Sequence, residues 1–215
     1  NPRLSHERAF WAERPDAALA GVDEAGRGCL AGPVVAGAVE IAEADIAALA
    51  AGPLAKVNDS KQLTPRQRER LFAELTRLPN VRWGVGMASA AEIDRLNILN
   101  ATHLAMRRAL EALPSLPAHA LVDGLPVKGL PVPHTALVKG DANSLLIACA
   151  SILAKVTRDR LCAELDARFP GYGFAAHKAY GTPAHLAALR RLGPCPEHRR
   201  SFAPVAVVQG ELPLG

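Results

Sequence analysis

The chain has 215 residues, 49% apolar and 21% charged, enough to bury a full core without disulfide staples. No run of 18 apolar residues exists, which excludes a membrane-spanning helix, and Asn1 to Asp16 is polar and charged rather than patterned as a signal peptide. Cys29, Cys149, Cys162 and Cys195 form no C-x-x-C pair and are expected as free thiols in a reducing, cytoplasmic compartment. The first residue is Asn rather than Met, as expected of a chain trimmed by a few residues.

The apolar run at 18–22, which stops at Asp23, is expected as a buried strand, and 33–41 as a second. A Gly-rich loop joins them as a hairpin. Thr64-Pro65 supplies a cap and a first-turn proline, opening a helix to about Leu78. Alternation from Val81 to Ala88 predicts a third strand. Ser89 with Glu92 is a capping box, and its helix is expected to reach about Leu113. His119 to Val122 reads as a short strand ending at Asp123, Gly124 to Pro133 as a loop, and Thr135 to Val138 as the last strand. A long helix follows from Asn143 to about Phe169. Pro170 to Thr182 is Gly-rich and irregular, and Pro183 to about Leu192 is a helix. A hairpin followed by strand–helix alternation predicts an α/β fold, one mixed central sheet flanked by helices with a helical C-terminal part. We expect a single domain over 1–215, its core at about 17–168 and an extension at about 169–215.

Two strands end on acids, at Asp23-Glu24 and at Asp123, and Asp141 lies between a strand and the long helix. Acids at the ends of neighbouring strands can converge at one edge of a sheet. Clustered carboxylates repel and need cations, and hard ions with oxygen ligands, Mg²⁺ or Mn²⁺, suit them. Two such ions can activate a water and stabilise the leaving oxygen of a phosphodiester. Each acid alone also has a plain structural role, Asp123 before Gly124 as a turn residue and Asp141 as a helix cap. Asp23 and Glu24 point to opposite faces unless the strand ends there. Asp159, 18 residues beyond Asp141 and so roughly 27 Å away on a continuous helix, is set aside.

The loop Gly26-Arg27-Gly28, with Gly32-Pro33 after it, fits neither a dinucleotide fingerprint nor a P-loop. Its glycines would let a ligand approach the backbone closely, with Arg27 meeting a phosphate, or would simply turn the chain. Net charge is +4, and residues 139–200 hold ten Lys or Arg against five Asp or Glu. That excess hints at a polyanionic partner, although a solvated helical face explains it as well. Cys195-Pro-Glu-His198 is at most half of a soft-metal site, with no second half nearby.

Gly21-Val-Asp23-Glu-Ala-Gly-Arg-Gly28 with Gly32-Pro33 resembles the signature of the type 2 ribonuclease H family, ribonuclease HII. Further matches come in order: Asp59-Ser-Lys61-Gln-Leu-Thr64, Glu92 to Thr102, Val122-Asp123-Gly, Lys139-Gly-Asp141, Ala148 to Asp159, and Tyr172 to Thr182. The resemblance covers roughly Leu19 to Arg200. The family often has Lys at the place of Gln62 and Gly at that of Ala179. The short spacing from Asp123 to Asp141 is similar to that of bacterial members. Arg27, where the related type 3 enzymes carry Lys, points away from that subtype.

The resemblance implies an RNase H-like fold and metal-dependent cleavage of RNA paired to DNA. It implies four metal-binding carboxylates at Asp23, Glu24, Asp123 and Asp141, with two Mg²⁺ or Mn²⁺ ions as cofactors. It places a ribose-reading loop at Gly26, Arg27 and Gly28 and a junction-sensing tyrosine at Tyr180. The implied cut lies 5′ of a ribonucleotide, single ribonucleotides in duplex DNA included, and leaves a 3′-hydroxyl and a 5′-phosphate. Lys61, Lys178 and the pair Arg190-Arg191 are candidates for phosphate contacts, which position a duplex without reading sequence. A monomer is expected. The tail from Gln209 to Leu214 faintly resembles a sliding-clamp peptide but lacks the aromatic pair. Two rival readings are a hybrid-binding protein with a dead site, which the four acids oppose, and a nuclease or recombinase of the same fold acting on plain DNA.

Overall fold

The structure is a computed structural model and describes residues 4–57 and 60–210. Helix α1 (Ser5–Glu13) precedes the hairpin of β1 (Leu19–Ala25) and β2 (Val34–Ile41). Then come α2 (Glu43–Ala51), a 3₁₀ turn at Ser60–Gln62, α3 (Pro65–Leu75) and β3 (Val81–Ala88). Helices α4 (Ala90–Leu96) and α5 (Ile98–Glu111) lead to β4 (His119–Asp123) and β5 (His134–Leu137). The chain closes with α6 (Gly140–Asn143), α7 (Leu145–Arg168), α8 (Phe174–His177), α9 (Pro183–Leu192) and α10 (Ala203–Val208).

The strands form one mixed sheet in the order β3-β2-β1-β4-β5. β1, β2 and β3 are antiparallel, whereas β4 and β5 run parallel to β1. Alternation along β1 divides the core. Leu19 packs with Leu146 and Ile147 of α7 on one face, while Ala20 and Val22 pack with Ala105 and Met106 of α5 on the other. Both helices sit close because glycine faces them. A Cβ on Gly21 would fall 2.2 Å from the Leu146 carbonyl carbon, and one on Gly86 would fall 2.2 Å from the Ala105 oxygen. Leu145 through Ala154 are all buried, as befits a helix enclosed on every side.

Several boundaries differ from the sequence expectation. The helix expected to run from Ser89 to Leu113 is two helices, broken at Asn97, which takes φ 68° and caps α5 by accepting from the Asn100 N–H at 3.0 Å. With ψ 164° Asn97 lies outside the left-handed α basin, in a sparsely populated region that the junction of the two helices imposes. The long helix starts at Leu145, and its cap is Ser144 rather than Asp141. Helix α3 stops at Leu75, before Leu78. Helices α1 and α2 were not expected. Glu7 of α1 is fully buried and accepts from Ser144 Oγ (2.7 Å) and the Leu146 N–H (3.2 Å), which docks α1 on the N-terminus of α7.

Candidate metal centre and nucleic-acid interface

β1 does not end at Asp23. It continues to Ala25 against β2, with Asp23 opposite Gly37 and Glu24 opposite Ala36. Its pairing with β4 does stop, at Val22 and Val122. Beyond that point the two parallel strands carry Asp23 and Asp123 on the α7 face. Asp141 comes to the same place from α6. One carboxylate oxygen of each of Asp23, Asp123 and Asp141 lies within 4.8 Å of the other two. Gly140 N–H donates to Asp123 Oδ1 at 2.6 Å, so the turn that delivers Asp141 also orients Asp123. Glu24 N–H donates to Asp23 Oδ1 at 2.7 Å. The Ser151 hydroxyl of α7 bonds the Asp23 carboxylate and is itself 2.7 Å from Ser60 Oγ of the 3₁₀ turn.

Glu24 points to the α5 face, as strand alternation requires, and does not join that trio. It lines a cleft of about 210 Å³ with Arg27, His103, Asp123 and Lys128. Arg27 Nη1 lies 3.3 Å from Glu24 Oε1. Burial, then the Glu24 and Asp123 charges, pushes the Asp23 carboxyl well above the usual carboxylate range. Burial also raises Glu24, with Arg27 opposing it. A buried, all-oxygen set with mutual repulsion fits a hard divalent cation in its donor chemistry.

The glycine loop is fastened from below by two buried arginines. Arg158 of α7 donates to the oxygens of Pro33 (3.3 Å), Ala31 (3.2 Å) and Lys178 (2.9 Å). Arg199 donates to Gly32 (3.0 Å), Arg27 (2.8 Å) and Gly26 (2.7 Å). Burial, then the neighbouring Arg158 charge, brings Arg199 down to about 10, still protonated at neutral pH. Neither was singled out from the sequence, where both look like surface charge. The basic excess after residue 139 is therefore partly internal and does not all face a partner.

Gly26 takes φ 91°, and a Cβ there would lie 1.9 Å from Arg158 Nε. Gly28 is open, with nothing within 4 Å of its Cβ position. The loop's far end, Cys29, forms a β-bridge with Tyr180, and Leu30 N–H donates to the Ala179 oxygen at 2.8 Å. Tyr180 is 46% exposed and shares a side-chain hydrogen bond with Cys29. Lys178 and Ala179 both take positive φ, 53° and 63°, so alanine stands where the left-handed backbone suits glycine. Lys178 Nζ is turned back onto the Ala175 oxygen at 2.7 Å. The Lys61 side chain and residues 211–215, most of the clamp-like tail, lie outside the described residues. Arg191 donates to the Gly171 oxygen at 3.2 Å.

Cys195 and His198 share a hydrogen-bond chain, and among the described residues they belong to no cluster of three metal-ligating side chains. The Cys195 N–H donates to His198 Nδ1 (3.0 Å), which leaves His198 Nε2–H to donate to His185 Nε2 (3.1 Å). His185 Nδ1–H then donates to the Tyr180 carbonyl at 2.9 Å. All four cysteines are buried thiols outside any disulfide.

A mixed five-stranded sheet flanked by helices, with aspartates gathered beyond the carboxyl ends of its parallel strands, fits the RNase H-like fold class. The family model described as Ribonuclease HII matches residues 20–205. The ribonuclease HII of Paracidovorax citrulli is 53% identical over 205 residues, 95% of this chain and 81% of that protein. The crystal structure of ribonuclease H2 from Pyrococcus horikoshii OT3 superposes with TM-score 0.75 at 31% identity, over 90% of this chain and 97% of that one. The structure of Bst-RNase HIII in complex with Mn²⁺ shares the fold, with TM-score 0.74 at 20% identity over 94% of this chain and 72% of that one. This chain belongs to the ribonuclease HII family and is a nuclease, a hydrolase of phosphodiester bonds.

Proposed function

We propose that this chain hydrolyses the RNA strand of RNA/DNA hybrids and cuts 5′ of single ribonucleotides embedded in duplex DNA. The observation that carries the reading is the meeting of Asp23, Asp123 and Asp141 within 4.8 Å, a short step along β1 from the Gly-Arg-Gly loop. We assign metal binding to these three and to Glu24, which reaches the site from the opposite face. Two bound Mg²⁺ or Mn²⁺ ions would supply an activated water and Lewis-acid stabilisation of the leaving oxygen.

The chain's own residues do the rest. The Gly140 and Glu24 amides and the Ser151 hydroxyl orient the carboxylates. Gly26, Arg27 and Gly28 approach the ribose whose 2′-hydroxyl distinguishes RNA from DNA. Arg27, released from Glu24, is free to meet a phosphate. Tyr180 offers a flat ring to the sugar after the last ribonucleotide, and its bridge to Cys29 fixes its distance from the loop. Lys61, Lys178 and Arg190-Arg191 are proposed phosphate contacts, Lys178 after leaving the Ala175 oxygen. We read residues 1–215 as one catalytic domain, because Arg158 and Arg199 tie core to extension. Buried thiols outside any disulfide suit the cytoplasm.

The test is cleavage of three duplexes with Mg²⁺ or Mn²⁺: an RNA/DNA hybrid, DNA with one ribonucleotide, and DNA alone. Cutting of the first two and not the third is expected. Equal cutting of all three points to a general DNA nuclease.

A further inference from the structure

Two peptide planes of the glycine loop are set by one side chain. Arg199 is fully buried, and its fork holds the carbonyls of Gly26 and Arg27 at 2.7 and 2.8 Å. In a trans peptide the C=O of one residue and the N–H of the next point in opposite directions. No cis peptide occurs among the described residues. With both carbonyls drawn inward, the N–H groups of Arg27 and Gly28 face away from Arg199. Arg27 and Gly28 are exposed whereas Gly26 is buried, so those donors lie on the open side.

The arrangement is rigid on three counts. Arg199 Nε also holds the Gly32 oxygen at 3.0 Å, and its own N–H holds the Leu30 oxygen at 2.8 Å. Its guanidinium lies 5.2 Å from the Phe202 ring centroid. Arg158, the second buried guanidinium, closes on Gly26 from α7 and grips Ala31 and Pro33. Both arginines donate to backbone carbonyls, and Arg158 also to the Cys162 sulfur, in neutral contacts. Their positive charge beneath the loop favours an anionic or oxygen-rich ligand above.

The resemblance already implies that this loop reads the ribose and phosphate through its backbone; we propose that Arg199 is the positioning residue that presets it, turning the Arg27 and Gly28 amides outward as a pair toward a ribose 2′-hydroxyl or a phosphate oxygen. Preset donors incur no reorganisation cost on binding, which is how a fixed dipole pair gains selectivity. The site rests on the ribose-reading role proposed above for this loop. Lysine would not replace Arg199, because a single ammonium cannot fork across three carbonyls.

The experiment compares wild type with Arg199→Lys and Arg199→Met. It measures binding and cleavage of a duplex with one ribonucleotide against the all-DNA duplex, alongside melting temperature and Mn²⁺ binding. The expected result is a folded variant with unchanged Mn²⁺ affinity whose preference for the ribonucleotide falls about tenfold, the loss of roughly one hydrogen bond. An equal fall in affinity for both duplexes assigns the donors to a phosphate oxygen. Unchanged preference and affinity in folded variants overturn the proposal. Should neither variant fold, amide NMR of the wild type decides. Arg27 and Gly28 must shift on adding the ribonucleotide duplex with Ca²⁺, and silence at both amides overturns the proposal. A wild type that shows no ribonucleotide preference defeats the ribose reading instead, and Arg199 is then tested by whether its folded variants lose affinity for the all-DNA duplex.

Discussion

Asp23 and Asp123 stand side by side on adjacent parallel strands, one residue past the last paired positions, Val22 and Val122. The strands hold together up to the acids and release there, so the site has strand rigidity behind it and open space ahead. Keeping Asp23 charged there is costly, since its carboxyl is pushed well up by burial and then by Glu24 and Asp123.

That cost makes a prediction about the ion-free protein. A carboxyl raised on folding contributes stability below its unfolded pKa and loses it as pH rises through the folded value. Asp23→Asn removes the penalty, so without divalent ions the variant melts higher than wild type at neutral pH. With Mn²⁺ at a hundred times its dissociation constant, wild type gains about 2.7 kcal/mol, or roughly 5–10 °C for a chain of this size. The variant gains little. Equal Mn²⁺-induced shifts in both proteins would remove Asp23 from the metal site.

Tyr180→Ala should reduce cutting at an isolated ribonucleotide about tenfold more than cutting of a long hybrid, the equivalent of about 1.4 kcal/mol. Tyr180→Phe should keep most of the activity, because the proposed contact is the ring face. Initial rates on the two substrates test this. Equal losses on both count against a junction sensor.

Two glycines separate packing from recognition. Gly21→Ala drives a methyl into the Leu146–Ile147 backbone and should cost about 1–3 kcal/mol or more of stability. Gly28→Ala meets nothing within 4 Å and should melt like wild type while losing ribonucleotide preference. Thermal melts paired with the two-substrate assay distinguish them, and matched melting losses would contradict the assignment.

Much of this was legible in the sequence for a physical reason. Asp23 and Asp123 follow short apolar strands, and the step from strand to acid is visible in one dimension. The capping boxes at Thr64 and Ser89 are equally local. What escaped depends on distant contacts. Helix α1 is held by Glu7 reaching Ser144, 137 residues away, and nothing near Glu7 signals burial. Asn97 breaks a helix whose apolar spacing continues past it. Arg158 and Arg199 are satisfied by carbonyls up to 173 residues away. Strand alternation, itself legible in the sequence, turns Glu24 to the α5 face, from which we propose that it reaches the metal site.

The imidazole chain beneath Tyr180 predicts a pH effect. Burial, then His185, holds His198 down to about 4, and burial lowers His185 as well. A histidine depressed on folding contributes stability above its unfolded pKa of about 6.5, lost as pH falls through the folded value. Wild type should therefore lose stability between pH 6.5 and 4 more steeply than His198→Gln. Melting curves across that range test it, and parallel curves for the two proteins would exclude the chain as the cause.

The most direct measurement is the chemistry of the product ends from a DNA duplex carrying one ribonucleotide, cut in Mg²⁺ or Mn²⁺. On the proposed reading, water activated at the aspartate cluster would cut 5′ of the ribonucleotide and leave a 3′-hydroxyl and a 5′-phosphate. Attack by the ribose 2′-hydroxyl cuts on its 3′ side and leaves a 2′,3′-cyclic phosphate. The first pair of ends, lost in Asp123→Asn and in EDTA, is the predicted result; a cyclic phosphate, or cutting that survives both treatments, would contradict it.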